Sequence, residues 1–221
     1  MMFRIKICGI TTVEDARVAC EAGADAVGLN FYASSPRCVT VDQASAICEA
    51  LSGSVVKVGL FVNTPAADVA RICGQLGLDL VQLHGDEPPE YVADLGDWPV
   101  MRAFRLDARG IAPIGQYLSR CRALGCLPRL TLIDSSAPGQ YGGTGRPADW
   151  QAVAQYPCES WHPPLILAGG LTPANVAQAI QSVRPFGVDT ASGVEVTPGR
   201  KSADRVRQFV LAARAALDVP H

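Results

Sequence analysis

The chain has 221 residues, 48% hydrophobic and 18% charged, a balance that excludes a disordered chain and fits one large globular domain over 1–221. With 19 basic against 21 acidic side chains the formal charge is −2 and no basic stripe occurs, so neither nucleic acid nor an anionic membrane is an expected partner. No apolar run approaches the roughly 18 residues of a membrane helix, and the first residues have no signal-peptide form.

Eight cysteines are spaced irregularly, without a Cys-x-x-Cys pair. In a chain of this size they fit free thiols in a reducing cytoplasm. The three histidines, at 84, 162 and 221, do not cluster with them at metal-ligand spacing, so no metal site is expected.

Arg4-Ile5-Lys6-Ile7-Cys8 alternates as a short strand, with Arg4, Lys6 and Cys8 on one face and Ile5 and Ile7 on the other. Gly9 ends it, and Thr12, followed by Glu14 and Asp15, caps a predicted helix over Thr12–Ala22 that Gly23 stops. A second strand is predicted over Asp25–Phe31, a helix over Val41–Leu51, and a third strand over Val55–Val62, apolar enough for burial on both faces. Thr64 and Pro65 then read as the cap and first residue of a helix. Strands follow at Leu80–His84, Val100–Leu106 and Leu130–Asp134, with helices at Pro88–Leu95 and Ile111–Leu124 between them. Past a Gly-rich loop come a short helix over Asp149–Gln155, a strand over Leu165–Ala168 and a helix over Pro173–Ser182. A strand over Gly187–Ala191 and a final helix over Asp204–Leu217 complete the series. Eight strand–helix units without a linker predict an α/β fold, a single parallel (β/α)8 TIM barrel. An open doubly wound sheet is the alternative, but it usually carries Gly-x-Gly-x-x-Gly after its first strand, where Cys8-Gly9-Ile10-Thr11 stands here.

A barrel presents its chemistry at the C-terminal ends of its strands. Cys8, Asn30, His84, Arg105, Asp134 and Asp189 fall on or near such ends. A strand cysteine is more often a small buried hydrophobe than a reactive group, so the surroundings of Cys8 decide its role. After strand seven, Gly169 and Gly170 run into Leu171-Thr172-Pro173; after strand eight, Ala191-Ser192-Gly193 repeats the arrangement. Glycine turns before helix starts let backbone N–H groups meet a phosphate. Gly142-Gly143-Thr144-Gly145 reads as a loop that closes over substrate. No Gly-Lys pair, Gly-x-Ser-x-Gly or His-Glu-x-x-His exists, which sets aside Walker-loop and common hydrolase chemistry. One thiol and one carboxyl on separate strands, over a phosphate site, suit proton transfer between neighbouring carbons of a small sugar, with no metal or nucleotide needed. Thiols ordinarily ionise near 8.5, so such a base gains from a neighbouring cation; Lys6 stands two residues back on the same face. It suits equally a buried cation paired with a barrel carboxylate.

Several motifs occur in order: Lys6-Ile7-Cys8-Gly9-Ile10-Thr11, Ser35-Pro36-Arg37, Val58-Gly59-Leu60-Phe61-Val62-Asn63, Val81-Gln82-Leu83-His84-Gly85-Asp86-Glu87, Gly142-Gly143-Thr144-Gly145, Leu167-Ala168-Gly169-Gly170-Leu171 and Ser192-Gly193-Val194-Glu195. From first strand to last the set resembles the phosphoribosylanthranilate isomerase family of tryptophan biosynthesis. The resemblance implies an Amadori rearrangement of a phosphorylated aminosugar, with Cys8 as general base and Asp134 as general acid. It implies Arg37 on the anthranilate carboxylate, Asp189 near the anthranilate nitrogen, His84 in substrate binding, and phosphate held by Gly169, Gly170, Ala191, Ser192 and Gly193. No cofactor, a cytoplasmic location and functional association with neighbouring tryptophan-pathway enzymes belong to the same expectation. Thr190 and Ala191, Ala148 and Ser202 depart from the common family residues and bear on loop packing. Related phosphoribosyl barrels are expected to use carboxylates or lysine as base. A degenerate barrel that only binds sugar phosphate is the non-enzymatic alternative.

Overall fold

The computed structural model describes residues 2–51, 53, 55–107, 109–135, 150–157 and 159–219. The Gly142–Gly145 loop, Ala148 and Asp149, together with Cys158 and His221, lie outside them. Eight parallel strands form the fold: β1 (Ile5–Cys8), β2 (Ala26–Asn30), β3 (Val56–Phe61), β4 (Leu80–Leu83), β5 (Val100–Arg105), β6 (Leu130–Asp134), β7 (Leu165–Ala168) and β8 (Gly187–Thr190). Each pairs with the next and β8 pairs back to β1, closing the ring. The open-sheet alternative is thereby excluded. Helices α1 (Val13–Glu21), α2 (Val41–Ala50), α3 (Ala66–Leu76), α4 (Pro89–Asp94), α5 (Ala112–Ala123), α6 (Trp150–Val153), α7 (Val176–Val183) and α8 (Ala203–Leu217) follow the strands in turn.

Strand alternation builds two cores. Outward residues such as Ile5, Ile7, Val27, Leu29, Ile133 and Leu167 pack under the helices. Inward residues such as Val58, Leu80, Met101, Leu132 and Ile166 fill the barrel, with Phe3 among them. Lys6 shares that interior and is fully buried. Among the described residues no helix is long and apolar enough to cross a membrane.

Thr12 caps α1 through the Asp15 N–H, and Thr40 with Gln43 forms a capping box on α2, each satisfying N–H groups that a helix start leaves unpaired. Two expected starts are corrected. Thr64 does not cap α3; Pro65 occupies that position without a side-chain bond. The helix expected from Pro173 begins at Val176, because the Asn175 side chain accepts from the Thr172 N–H (2.7 Å) and donates to the Gly170 carbonyl (3.0 Å), turning the chain first. Only Trp150–Val153 of the short helix expected over Asp149–Gln155 is described as helix.

A β-hairpin, absent from the sequence reading, follows β8. It pairs β9 (Glu195–Thr197) with β10 (Arg200–Lys201) in antiparallel register. Pro198 and Gly199 make its turn, and Gly199 has φ +81, the left-handed position that a type II turn reserves for glycine.

Candidate active site

The alternation that fills the barrel also directs strand-end side chains into its C-terminal mouth. Cys8, His84, Asp134 and Asp189 line one cleft, joined by Asn30 and Arg105. Cys8 lies on β1 and Asp134 on β6, with β7 and β8 between them on one side of the ring and four strands on the other. The thiol and the carboxyl therefore face the cleft from well-separated walls.

Closure of the ring sets the surroundings of the thiol. Lys6 is the register partner of Asp189, and its Nζ lies 2.8 Å from the Asp189 carboxylate. Cys8 is the register partner of Gly28. A Cβ at Gly28 would fall 2.7 Å from the Cys8 Sγ and 3.0 Å from the Lys6 Nζ. The missing side chain thus leaves room for the thiol and the ammonium side by side. Burial alone pulls the Lys6 pKa down, but Asp189 and Cys8 outweigh it and raise it above its ordinary value. A fixed positive charge sits beside the thiol, so Lys6 is at once the cation near Cys8 and one half of a buried ion pair.

His84 follows β4, and its Nδ1 lies 3.1 Å from the Gln82 amide nitrogen. The residue is half-buried at the wall of the cleft. Burial is the main cause that pushes its pKa down to about 4; Asp134 opposes this, while Arg105, Lys6 and Arg102 add to it. The ring is neutral at pH 7.

Arg37 is carried by the loop after β2, and Asn30 shapes that loop. Its carbonyl oxygen accepts from the Tyr32 N–H (2.8 Å) and its amide donates to Ser35 Oγ (3.1 Å), which in turn accepts from the Arg37 N–H (3.1 Å). The stem of Arg37 lies over Gly9, whose φ of +70 and lack of Cβ permit the approach. Its guanidinium meets Glu195 on β9 side-on, Nε to Oε1 at 2.8 Å and Nη2 to Oε2 at 2.7 Å. Lys201 on β10 donates to the same Glu195 (2.7 Å) and to the Ala191 carbonyl (3.1 Å). Burial would raise the Glu195 pKa, but Arg37 and Lys201 hold it below the usual carboxylate value.

Gly169, Gly170, Ala191 and Ser192 line the cleft, and Gly193 lines the groove next to it with Gly170 and Ser192. Gly169 and Gly170 have φ of +93 and +63. The two loops touch: Thr190 Oγ1 donates to the Leu171 carbonyl (2.7 Å), and any Cβ on Gly193 would overlap that carbonyl oxygen. The ten residues to which the resemblance gives a site role, Cys8, Arg37, His84, Asp134, Gly169, Gly170, Asp189, Ala191, Ser192 and Gly193, gather at this mouth. Nothing local in the sequence marks Glu195, Lys201 or Gln82 for a role; the Pro198-Gly199 turn is the one local signal of the hairpin.

The family model described as N-(5'-phosphoribosyl)anthranilate isomerase matches residues 5–212. The N-(5'-phosphoribosyl)anthranilate isomerase of Geobacter sulfurreducens is 47% identical over 214 residues, covering 96% of this chain and 99% of that one. The crystal structure of phosphoribosyl anthranilate isomerase from Thermotoga maritima superposes with a TM-score of 0.84 at 37% identity, covering 97% of this chain and 100% of that one. A phosphoribosyl anthranilate isomerase solved in complex with reduced 1-(o-carboxyphenylamino)-1-deoxyribulose 5-phosphate superposes at 0.79 with 34% identity, covering 97% and 100%. With a matching model along nearly all of its length and relatives this similar at both levels, the chain belongs to the N-(5'-phosphoribosyl)anthranilate isomerase family.

Proposed function

We propose that the protein converts N-(5'-phosphoribosyl)anthranilate into 1-(2-carboxyphenylamino)-1-deoxyribulose 5-phosphate, the Amadori step of tryptophan biosynthesis. The observation that carries this reading is the convergence of Cys8 and Asp134, from separate walls, on one cleft bordered by two glycine loops, with a buried cation paired to Asp189 of its lining. Asp134 gives a proton to the furanose ring oxygen; the C1–O bond breaks and the nitrogen lone pair forms an iminium at C1. The iminium acidifies the C2–H bond, and Cys8 takes that proton, leaving the electron pair as the C1=C2 bond of an enolamine. The enolamine gains a proton at C1 as its C2 hydroxyl becomes the ketone.

Lys6, paired with Asp189, sets its positive charge beside this base. Arg37 receives the anthranilate carboxylate, for which a planar guanidinium is suited. Asp189, on β8, and His84, after β4, face the substrate from opposite sides of the ring, and backbone N–H groups at Gly169, Gly170, Ala191, Ser192 and Gly193 receive the phosphate. A cytoplasmic site of action and functional association with neighbouring tryptophan-pathway enzymes go with this reading. Cys8→Ala and Asp134→Asn are each expected to lower turnover by about 100-fold or more with unchanged circular dichroism. Normal turnover in either folded variant would remove that residue from its role.

A further inference from the structure

We infer that Glu195 is a positioning residue that selects for the substrate's aromatic carboxylate, by holding the side edge of Arg37 so that its end edge faces the cleft. The inference rests on the isomerase reading and deepens it. A guanidinium offers two edges for paired hydrogen bonds, Nε with one terminal nitrogen and the two terminal nitrogens together. Glu195 occupies the first edge with bonds of 2.8 and 2.7 Å. Among the described residues Nη1 has no protein acceptor, and Arg37 lines the cleft. The remaining edge has the geometry to take a second carboxylate, that of the ligand.

Glu195 is suited to this task by its own restraint. Its side chain is 4% exposed, and the opposing Lys201 Nζ, fully buried, binds Oε1 at 2.7 Å. Backbone bonds fix the hairpin from both sides: Arg205 Nη1 donates to the Glu195 carbonyl, and Thr11 Oγ1 to the Gly199 carbonyl. Lys201 also donates to the Ala191 carbonyl in the loop after β8, so one ion-pair chain connects the carboxylate end of the cleft with the phosphate end. A flexible guanidinium would instead lose side-chain freedom each time it bound.

The test compares the natural substrate with N-(5-phosphoribosyl)aniline, which lacks only the carboxylate. The native protein is expected to favour the natural substrate by about 100-fold in kcat/KM. In Glu195→Gln the preference is expected to shrink to about tenfold or less, through KM more than kcat. The double variant Glu195→Gln with Lys201→Gln removes the buried Lys201 charge together with its partner, so that only Arg37 loses a counter-ion, and is expected to show the same narrowed preference. A folded variant whose activity falls equally on both compounds, with the preference intact, would overturn the inference and leave the isomerase reading standing. Absence of turnover by the native protein would overturn both.

Discussion

Lys6 places a fully buried ammonium in the middle of an apolar barrel, and it is tolerated because Asp189 meets it at 2.8 Å. Removing one partner leaves the other charged and stranded. Lys6→Met is therefore expected to cost about 3–5 kcal/mol in urea unfolding, with Lys6→Met combined with Asp189→Asn costing clearly less. A single variant as stable as the native chain would contradict the buried pair. His84 makes the opposite case, a ring kept neutral. Its folded pKa near 4 lies below the ordinary 6.5, so between these values the unfolded chain binds the extra proton. The contribution of His84 to stability is complete above pH 6.5 and falls as pH drops through that window. The His84 ring resonances are expected to titrate near 4, and a midpoint at 6.5 would show that the ring is not held as described.

The loops after β7 and β8 form one platform because Gly193 brings its backbone against the Leu171 carbonyl. Gly193→Ala forces the two apart and is expected to raise KM for the phosphorylated substrate by about tenfold or more, as backbone donors to an anion lose their aim. An unchanged KM would mean that these loops do not hold the phosphate. The elements themselves were largely legible in the sequence. β6 and β7 end where the apolar runs end, since a strand buried on both faces writes its limits as composition. The start of α7 was not legible, because Asn175 bonds back to Thr172 and Gly170 and delays the helix by a turn. The hairpin of β9 and β10 was missed because strands of three and two residues are too short to show a period. Cys8, Asp134 and the glycine loops were recognisable from position and motif. The partners of Lys6 and Arg37 were not, since they lie 183 and 158 residues away in sequence and depend on how the ring closes.

Closure of eight strands decides what the whole molecule can do. Pairing β8 to β1 puts Asp189 beside Lys6 and the β8 loop beside Cys8, while β6 brings Asp134 in from a separate wall. Asp134, Cys8, Lys6 and the two glycine loops then share one mouth although they are scattered along the chain. The interior below is filled by residues such as Val58, Met101 and Leu132, so chemistry is confined to the open end. The account stands or falls on whether the thiol at that end breaks a carbon–hydrogen bond. The measurement is the fate of deuterium at C2 of N-(5'-phosphoribosyl)anthranilate, followed by mass spectrometry and NMR of the recovered compounds. The native protein is expected to form the ketose with the C2–deuterium bond broken, and Cys8→Ala to return the substrate with its label in place. A folded Cys8→Ala variant that breaks that bond at the native rate would contradict the account.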